Sequence, residues 1–167
     1  LQPLTDYRLD VANCDSTTSI LFSTSEYGSP VDGGGESLLN RSWVVPLGEI
    51  NYTKPEGIGF VLSATLNTSI LIGVQSVGDK SIDLIGVEGN LNNSGEYYQP
   101  SSAETWDFSG SSWEDPYFYA DRESITLNYE GIQIPLFDFH LEGTFAPDGS
   151  DFSQGVLWAL ADTREMG

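Results

Sequence analysis

The chain has 167 residues and carries 25 acidic against six basic residues, a formal charge of −19. Such a surface repels nucleic-acid phosphates and anionic membranes, so nucleic-acid binding is excluded and cations or basic partners are favoured. Apolar residues make up 39% of the chain and aromatic residues 12%, too hydrophobic a composition for disorder. Because a chain of this length can bury one core, residues 1–167 are expected to form a single domain.

Strand patterns recur from the first residues onward, whereas no stretch combines helix-forming residues with a period of 3.6. Three early segments are short, rich in strand-forming residues and bounded by turn-forming residues. They are residues 7–12, 19–24 and 42–47, with a Gly-rich loop at 29–35 between the last two.

Residues 57–78 contain no charged residue. Their Ser, Thr, Asn and Gln side chains argue against a membrane span, which needs about 20 predominantly apolar residues. With a period of two, one face would carry Ile58, Phe60, Leu62, Ala64, Leu66, Ile70, Ile72 and Val74. This pattern predicts one long strand or two successive strands, with an amphipathic helix as the alternative. Residues 81–87 form the next predicted strand.

The last third predicts a β-meander. Apolar and polar side chains alternate from Ser124, a turn follows at Gly131, and the inward parity switches near Pro135, where a bulge or break is expected. A turn at 146–149 precedes a final strand at 155–161. The whole chain is therefore predicted to be all-β, an antiparallel β-sandwich or barrel of about seven to ten strands.

Metal chemistry is limited by the side chains present. Zinc, copper and iron sites need several His or Cys ligands, and this chain has only His140 and Cys14. No cofactor is predicted. Calcium is the one candidate metal, with Asp148 and Asp151 as ligands in an acidic turn, although the same residues are typical of an ordinary hairpin turn. Cys14 cannot form an intramolecular disulfide and is expected to be a small buried side chain.

His140 is the only histidine, so a nucleophile–base mechanism would have to use it. It lies on the polar face of a predicted strand, two residues from Asp138 and from Glu142. No Gly-x-Ser-x-Gly motif accompanies it. We therefore expect a solvated surface histidine and a protein that is not an enzyme.

Residues 104–123 are the strongest functional candidate, because acidic and aromatic side chains are interleaved there. The aromatic candidates for interaction or ligand binding are Trp106, Phe108, Trp113, Tyr117, Phe118 and Tyr119. They could be core residues with acids at the rim, or the anchors of a protein interface. They could also bind glycans, with Trp106, Trp113 and Tyr117 stacking on sugar rings. Alternation alone does not separate these three interpretations.

Glycosylation sequons begin at Asn40, Asn51, Asn67 and Asn92. Exposed strand faces rich in Ser and Thr are the alternative explanation for these sequons. The chain begins at Leu1 without an initiator Met, which suggests a removed targeting segment or a piece of a longer protein. These features favour an extracytoplasmic location: secreted, periplasmic or at the cell surface.

Several motifs in the last third occur together. They are Leu-Glu-Gly-Thr-Phe at 141–145, Asp148-Gly149, Gly155, and Asp-Thr-Arg at 162–164. This region resembles the closing hairpin of β-rich bacterial envelope lipoprotein-type domains. The resemblance implies an envelope or surface location and carries no catalytic residue.

The sequence therefore predicts a non-enzymatic, extracytoplasmic structural or interaction domain, as a surface component or an accessory subunit of a larger envelope assembly. Its partner would be a protein, with a basic one favoured by the charge. The alternative is a glycan-binding module assisted by calcium.

Overall fold

The computed structural model describes residues 4–14, 16–54, 56, 68–129 and 131–161. The predicted all-β fold is confirmed, with antiparallel sheets and one strongly curled half-barrel. The strands are β1 (Asp6–Ala12), β2 (Thr17–Ser23), β3 (Ser42–Pro46), β4 (Thr68–Val77), β5 (Ser81–Leu91), β6 (Tyr97–Tyr98), β7 (Thr105–Glu114), β8 (Tyr117–Tyr129), β9 (Ile132–Phe145), β10 (Phe152–Ser153) and β11 (Leu157–Ala161). Short 3₁₀ turns cover Gly35–Leu38 and Leu47–Glu49. In the part of the chain described, no helix is long and apolar enough to cross a membrane.

The main sheet runs in the order β10-β9-β8-β7-β5-β4-β3, with β11 beside β9 on the same edge as β10, and β6 beside β5. β7 and β8 pair only next to their connecting turn, where Ser112 lies opposite Tyr119 and Glu114 opposite Tyr117. Farther along, the carboxylate of Glu88 on β5 accepts a hydrogen bond from the backbone N–H of Asn128 on β8, 2.7 Å away. The core fills the space between the two diverging halves of the sheet.

The core is mainly aliphatic on β4 and β5 and aromatic on β7, β8 and β9. Ile70, Ile72 and Val74 are buried on one face of β4, as their alternation predicts. Residues 58–66 of the same predicted pattern lie outside the described residues. Phe145 is the centre of the aromatic part, with ring centroids 4.8 Å from Trp43 and 5.0 Å from Phe118.

Two bulges flanking Asp83 accompany the curl of the sheet. The register of β5 with β4 and with β7 shifts at this residue on both sides. The Asp83 carboxylate accepts hydrogen bonds from Ser76 Oγ at 2.5 Å and from the N–H of Gly110 at 2.7 Å. Both bonds lower the pKa of Asp83. Gly110 has a φ of 71°, which glycine adopts without strain.

The parity switch expected near Pro135 occurs three residues later. Asp138 has a φ of 49°, and the register between β9 and β11 shifts between Trp158 and Leu160. An extra residue is thus accommodated at Asp138, and Phe137 points outward while Phe139 is buried. The expectation of a bulge is correct, and its position is corrected.

The loop after β2 joins the two ends of the sheet. The N–H of Val31 donates to the Asp115 carboxylate at 2.8 Å, and the N–H of Asp32 donates to the Pro147 carbonyl at 2.6 Å. The Trp43 indole, on β3, donates to the Gly149 carbonyl at 3.2 Å. Leu38 is fully buried beneath this loop. These contacts hold β3 close to the turn between β9 and β10.

β1 and β2 form a separate two-stranded sheet with mostly exposed side chains. Cys14 lies in the turn between these strands and is exposed. The expectation that Cys14 is buried is therefore wrong, because a turn residue of this outlying hairpin has no core to enter.

Candidate functional site

The predicted aromatic candidates divide between the core and the outer surface. Buried in the core, where β7 and β8 direct alternate side chains, are Trp106, Phe108, Trp113 and Phe118. Only Tyr117, partly buried, and Tyr119, 38% exposed, remain on the outside. The first interpretation of residues 104–123, aromatic core with acidic rim, therefore describes four of the six. The two buried indoles cannot stack on a sugar ring.

The outer face of β8 and β9 carries a polar row centred on His140. His140 lies directly opposite Asp121, and Glu142 lies opposite Tyr119. His140 Nδ1 is 2.7 Å from Asp121 Oδ1, and His140 Nε2 is 3.2 Å from Glu142 Oε2. The Tyr117 hydroxyl donates to Glu142 Oε2 at 2.8 Å, which completes the row.

His140 is more enclosed than expected for a solvated histidine, since its side chain is only 24% exposed. Partial burial alone would lower the pKa of His140, but the hydrogen bonds to Asp121 and Glu142 prevail and raise it. Each ring nitrogen thus faces a carboxylate, an arrangement that favours the protonated form of the ring. Burial, followed by the hydrogen bond to Glu142, raises the pKa of Tyr117, whose ring stacks on Tyr27 with centroids 4.3 Å apart.

A groove of about 540 Å³ adjoins this row on the outer face. It is lined by Asp121, Arg122, Glu123, Asp138, Phe139, His140 and Trp158. The Arg122 guanidinium donates to the backbone carbonyls of Asp107 and Ser124. Among the described residues, no ion pair involves Glu123 or Asp138, so neither carboxylate in the groove has a cationic partner there.

β11 has apolar side chains on both faces but only one covered face. Leu157 and Ala159 pack against the core. On the outer face, Val156 is 51% exposed, Trp158 48% and Leu160 51%, and Phe137 of β9 beside them is 44% exposed. We call Phe137, Val156, Trp158 and Leu160 the β11 stripe. Within the described ranges, β9 is the only strand paired with β11.

Sequence reasoning identified β11 as a strand but missed its exposed stripe. The available pattern was the unbroken apolar run from 156 to 161. Such runs are typical of strands covered on both faces. An apolar run on a strand at the edge of the sheet therefore marks a face that can be covered by a partner.

The candidate calcium ligands lie in the turn between β9 and β10. Asp148 Oδ1 accepts from the N–H of Ser150 at 2.9 Å, and Asp151 Oδ2 accepts from Ser150 Oγ at 3.2 Å. The pKa of Asp148 is lowered by the hydrogen bonds from Ser150. The Arg41 guanidinium donates to the Asp148 carbonyl at 2.8 Å and brings positive charge to this turn. No group of three or more His, Cys, Asp or Glu in the described residues is placed to hold a metal ion.

The sequons lie in different settings. Asn40 and Asn51 are exposed. The Asn92 side chain holds the turn between β5 and β6, because its Oδ1 accepts from the N–H groups of Ser94 and Glu96, each 2.9 Å away. Asn67 lies outside the described residues.

The outer face of β8, β9 and β11 therefore combines three features: the His140 row, the groove with its charged carboxylates, and the β11 stripe. No protein-family model matches the chain, and no curated protein or solved structure does so either.

Proposed function

We propose that this chain is a non-enzymatic, extracytoplasmic structural or interaction domain, a surface component or accessory subunit of a larger envelope assembly. The observation that carries the proposal is the β11 stripe. Each of its four large side chains keeps about half of its surface in water. Together they expose roughly 300 Å² of largely apolar surface, which is within the size range of the largest apolar patch on a typical monomer, and such a patch is often functional.

A partner that covers the β11 stripe would gain free energy from the burial of apolar surface. At about 25 cal/mol per Å², covering the β11 stripe would contribute roughly 7 kcal/mol before the costs of association. This free energy is realised only if the contacts are well packed. The rigid indole of Trp158 favours such packing. The stripe is continuous with the groove, so an apolar anchor and a polar rim lie side by side on one face.

The state of His140 supports the non-enzymatic part of the proposal. Both ring nitrogens are engaged by carboxylates, Asp121 on one side and Glu142 on the other. With both nitrogens held in this way, neither is free to take a proton from a substrate as a general base does. The exposed sequons at Asn40 and Asn51 support an extracytoplasmic setting.

Site-specific photocrosslinking in the native cell tests the association role. A benzoylphenylalanine at position 156 would sit on the β11 stripe, and one at position 98 would probe β6, where Tyr98 is 47% exposed. We expect a discrete covalent adduct from position 156, none from position 98, and loss of the adduct when Trp158→Ser is added. Equal crosslinking at both positions, or none at position 156, contradicts the proposal.

Light scattering after size-exclusion chromatography complements the crosslinking. A crosslinked species with twice the mass of the chain would identify a second copy as the partner. A strictly monomeric protein that forms no adduct in its native cell would remove the assembly role.

Glycan binding is the second candidate. Trp158 and Tyr119 are exposed aromatic rings near the Asp121 carboxylate, a combination that suits stacking on a sugar and accepting its hydroxyl hydrogen bonds. A glycan array, with and without a calcium chelator, tests this candidate. Retention of a sugar by the wild type but not by Trp158→Ser supports it, and retention of none in either condition removes it.

A further inference from the structure

We propose that the partner presents an extended basic segment, which adds as a strand to the open edge of β11 and places a lysine or arginine side chain in the adjoining groove. This inference rests on the proposed association role and names the chemistry of the partner. It combines three observations on the described residues: the edge of β11 that no described strand pairs with, the β11 stripe, and the two groove carboxylates that have no ion pair.

The backbone of β11 can pair with a further strand. β11 pairs with β9 along one side, through positions such as Leu157 opposite Leu141 and Trp158 opposite His140. In an antiparallel ladder, alternate residues direct their N–H and C=O groups toward the opposite side. In the part of the chain that the structure describes, no strand pairs with β11 on that side. An extended segment can satisfy these groups by pairing as a further strand.

Side chains of such an added strand would contact the β11 stripe. Residues of an added strand alternate between the two faces of the sheet, so every second side chain would lie on the face of the β11 stripe. Apolar side chains there would cover Val156 and Leu160. The same alternation gives the partner segment a simple pattern, in which residues two apart share the contact face.

A side chain of the added strand must be long to reach the groove. A strand beside β11 would lie about 4.8 Å from it and about 10 Å from β9. The groove lies over β9, between Asp138 and Trp158. Only a long side chain on the added strand spans this gap, and the stems of Lys and Arg can cross apolar surface while the charged end reaches polar groups.

The groove favours a positively charged side chain. Glu123 and Asp138 have no ion pair among the described residues, and Arg122 directs its guanidinium to backbone carbonyls. A lysine or arginine would meet two carboxylates and the face of Trp158, which favours a cation. A second copy of this chain is disfavoured as the occupant, because two surfaces of charge −19 repel each other.

Labelled peptides test the inference with the full-length protein. The probes are peptides about ten residues long in which every second residue is Thr and the residues between them alternate Val with Lys (the Val-Lys peptide) or Val with Glu, so that Val and the charged residue share one face. The third probe is a Val-Lys peptide N-methylated at every second residue to remove the backbone donors of one edge. Fluorescence anisotropy measures their affinity. We expect the Val-Lys peptide to bind at least tenfold more tightly than the other two, and to weaken as salt rises from about 50 to about 300 mM.

Variants assign the binding to this face. Glu123→Gln with Asp138→Asn removes two charges from the groove, and we expect the affinity for the Val-Lys peptide to fall at least fivefold. The matched control, Asp79→Asn with Glu104→Gln, removes two exposed charges elsewhere and should change the affinity less than twofold. Trp158→Ser should weaken binding of the Val-Lys peptide as well. Circular dichroism of each variant establishes that it is folded.

The outcomes separate this inference from the association role. Equal binding of the three peptides, or equal effects of the groove and control variants, overturns the basic-strand inference. If the adduct from position 156 still forms in the Glu123→Gln/Asp138→Asn variant, the association role survives that result. If that adduct is absent from the wild type as well, both proposals fail.

Discussion

His140 Nδ1 lies 2.7 Å from Asp121 Oδ1 across a directly opposed pair of β8 and β9. The two residues are 19 positions apart in the chain, and the sheet register brings them together. Glu142, two residues along β9, holds the other ring nitrogen. The protonation state of one imidazole is therefore linked to the pairing of two central strands.

The first prediction concerns the pH dependence of stability. Because the folded state raises the pKa of His140 above its ordinary 6.5, the pairing stabilises the fold fully below that pH and is lost as the pH rises through the folded-state pKa. We expect His140→Gln to lower the free energy of unfolding by about 1 kcal/mol at about pH 5.5, and by much less at about pH 9. Urea denaturation at both pH values measures this. An equal loss at both values contradicts the linkage, and Asp121→Asn should show the same trend.

The second prediction compares two buried tryptophans. The Trp43 indole N–H donates to the Gly149 carbonyl at 3.2 Å, whereas the buried Trp106 indole N–H has no partner among the described residues. Replacement by Phe removes the same atoms at both positions, but only Trp43→Phe breaks a hydrogen bond. We expect Trp43→Phe to cost about 1 kcal/mol more than Trp106→Phe in urea denaturation. Equal costs would show that the hydrogen bond contributes nothing measurable.

The third prediction concerns the approach of β11 to β9. A Cβ at Gly155 would lie only 2.0 Å from the Glu142 carbonyl oxygen, so the backbone leading into β11 would have to move. We expect Gly155→Ala to destabilise the protein by about 2 kcal/mol. Gly95→Ala is the control, because a Cβ there meets no atom within 4 Å and the positive φ is its only strain. Hydrogen exchange should show lost protection in β11 for the first variant alone.

The fourth prediction concerns Asp83 between its two bulges. Because the hydrogen bonds from Ser76 and Gly110 lower the pKa of Asp83, the ionised carboxylate stabilises the fold above the ordinary pKa of 3.8, and this contribution is lost as the pH falls. Asp83→Ala should lower the thermal midpoint at neutral pH and converge with the wild type in acid. Asp79→Asn, in the neighbouring turn, is the control. A difference that persists in acid would mean that packing, rather than ionisation, explains the loss.

Local patterns in the sequence predicted much of the fold. The alternation of β4 and of the second half of β8 depends on neighbouring residues only, so the period of two identified those strands. The sequence does not predict β7 as a strand. Its buried side chains stand at even positions before the bulge at Gly110 (Trp106 and Phe108) and at an odd position after it (Trp113), so no single period of two runs along the strand. The parity switch of β9 was expected, but its position at Asp138 depends on the register with β11.

The candidate site was less predictable, because it is assembled across strands. Nothing near His140 in the sequence identifies Asp121 as its partner, since only the β8–β9 register does so. Trp158 lies 35 residues from Glu123 in the sequence, and the two meet in the groove through the order of β8, β9 and β11. Whether an apolar strand such as β11 has one or two covered faces depends on the same order.

The bonds from Asp32 to Pro147 and from Trp43 to Gly149 have a consequence for the order of folding. The partners that hold the loop after β2 and the first strand of the main sheet are supplied by residues more than 100 positions later in the sequence. Leu38 and Trp43 therefore reach their buried positions only when the turn between β9 and β10 is in place. Such distant pairings slow folding, so we expect these contacts to form late.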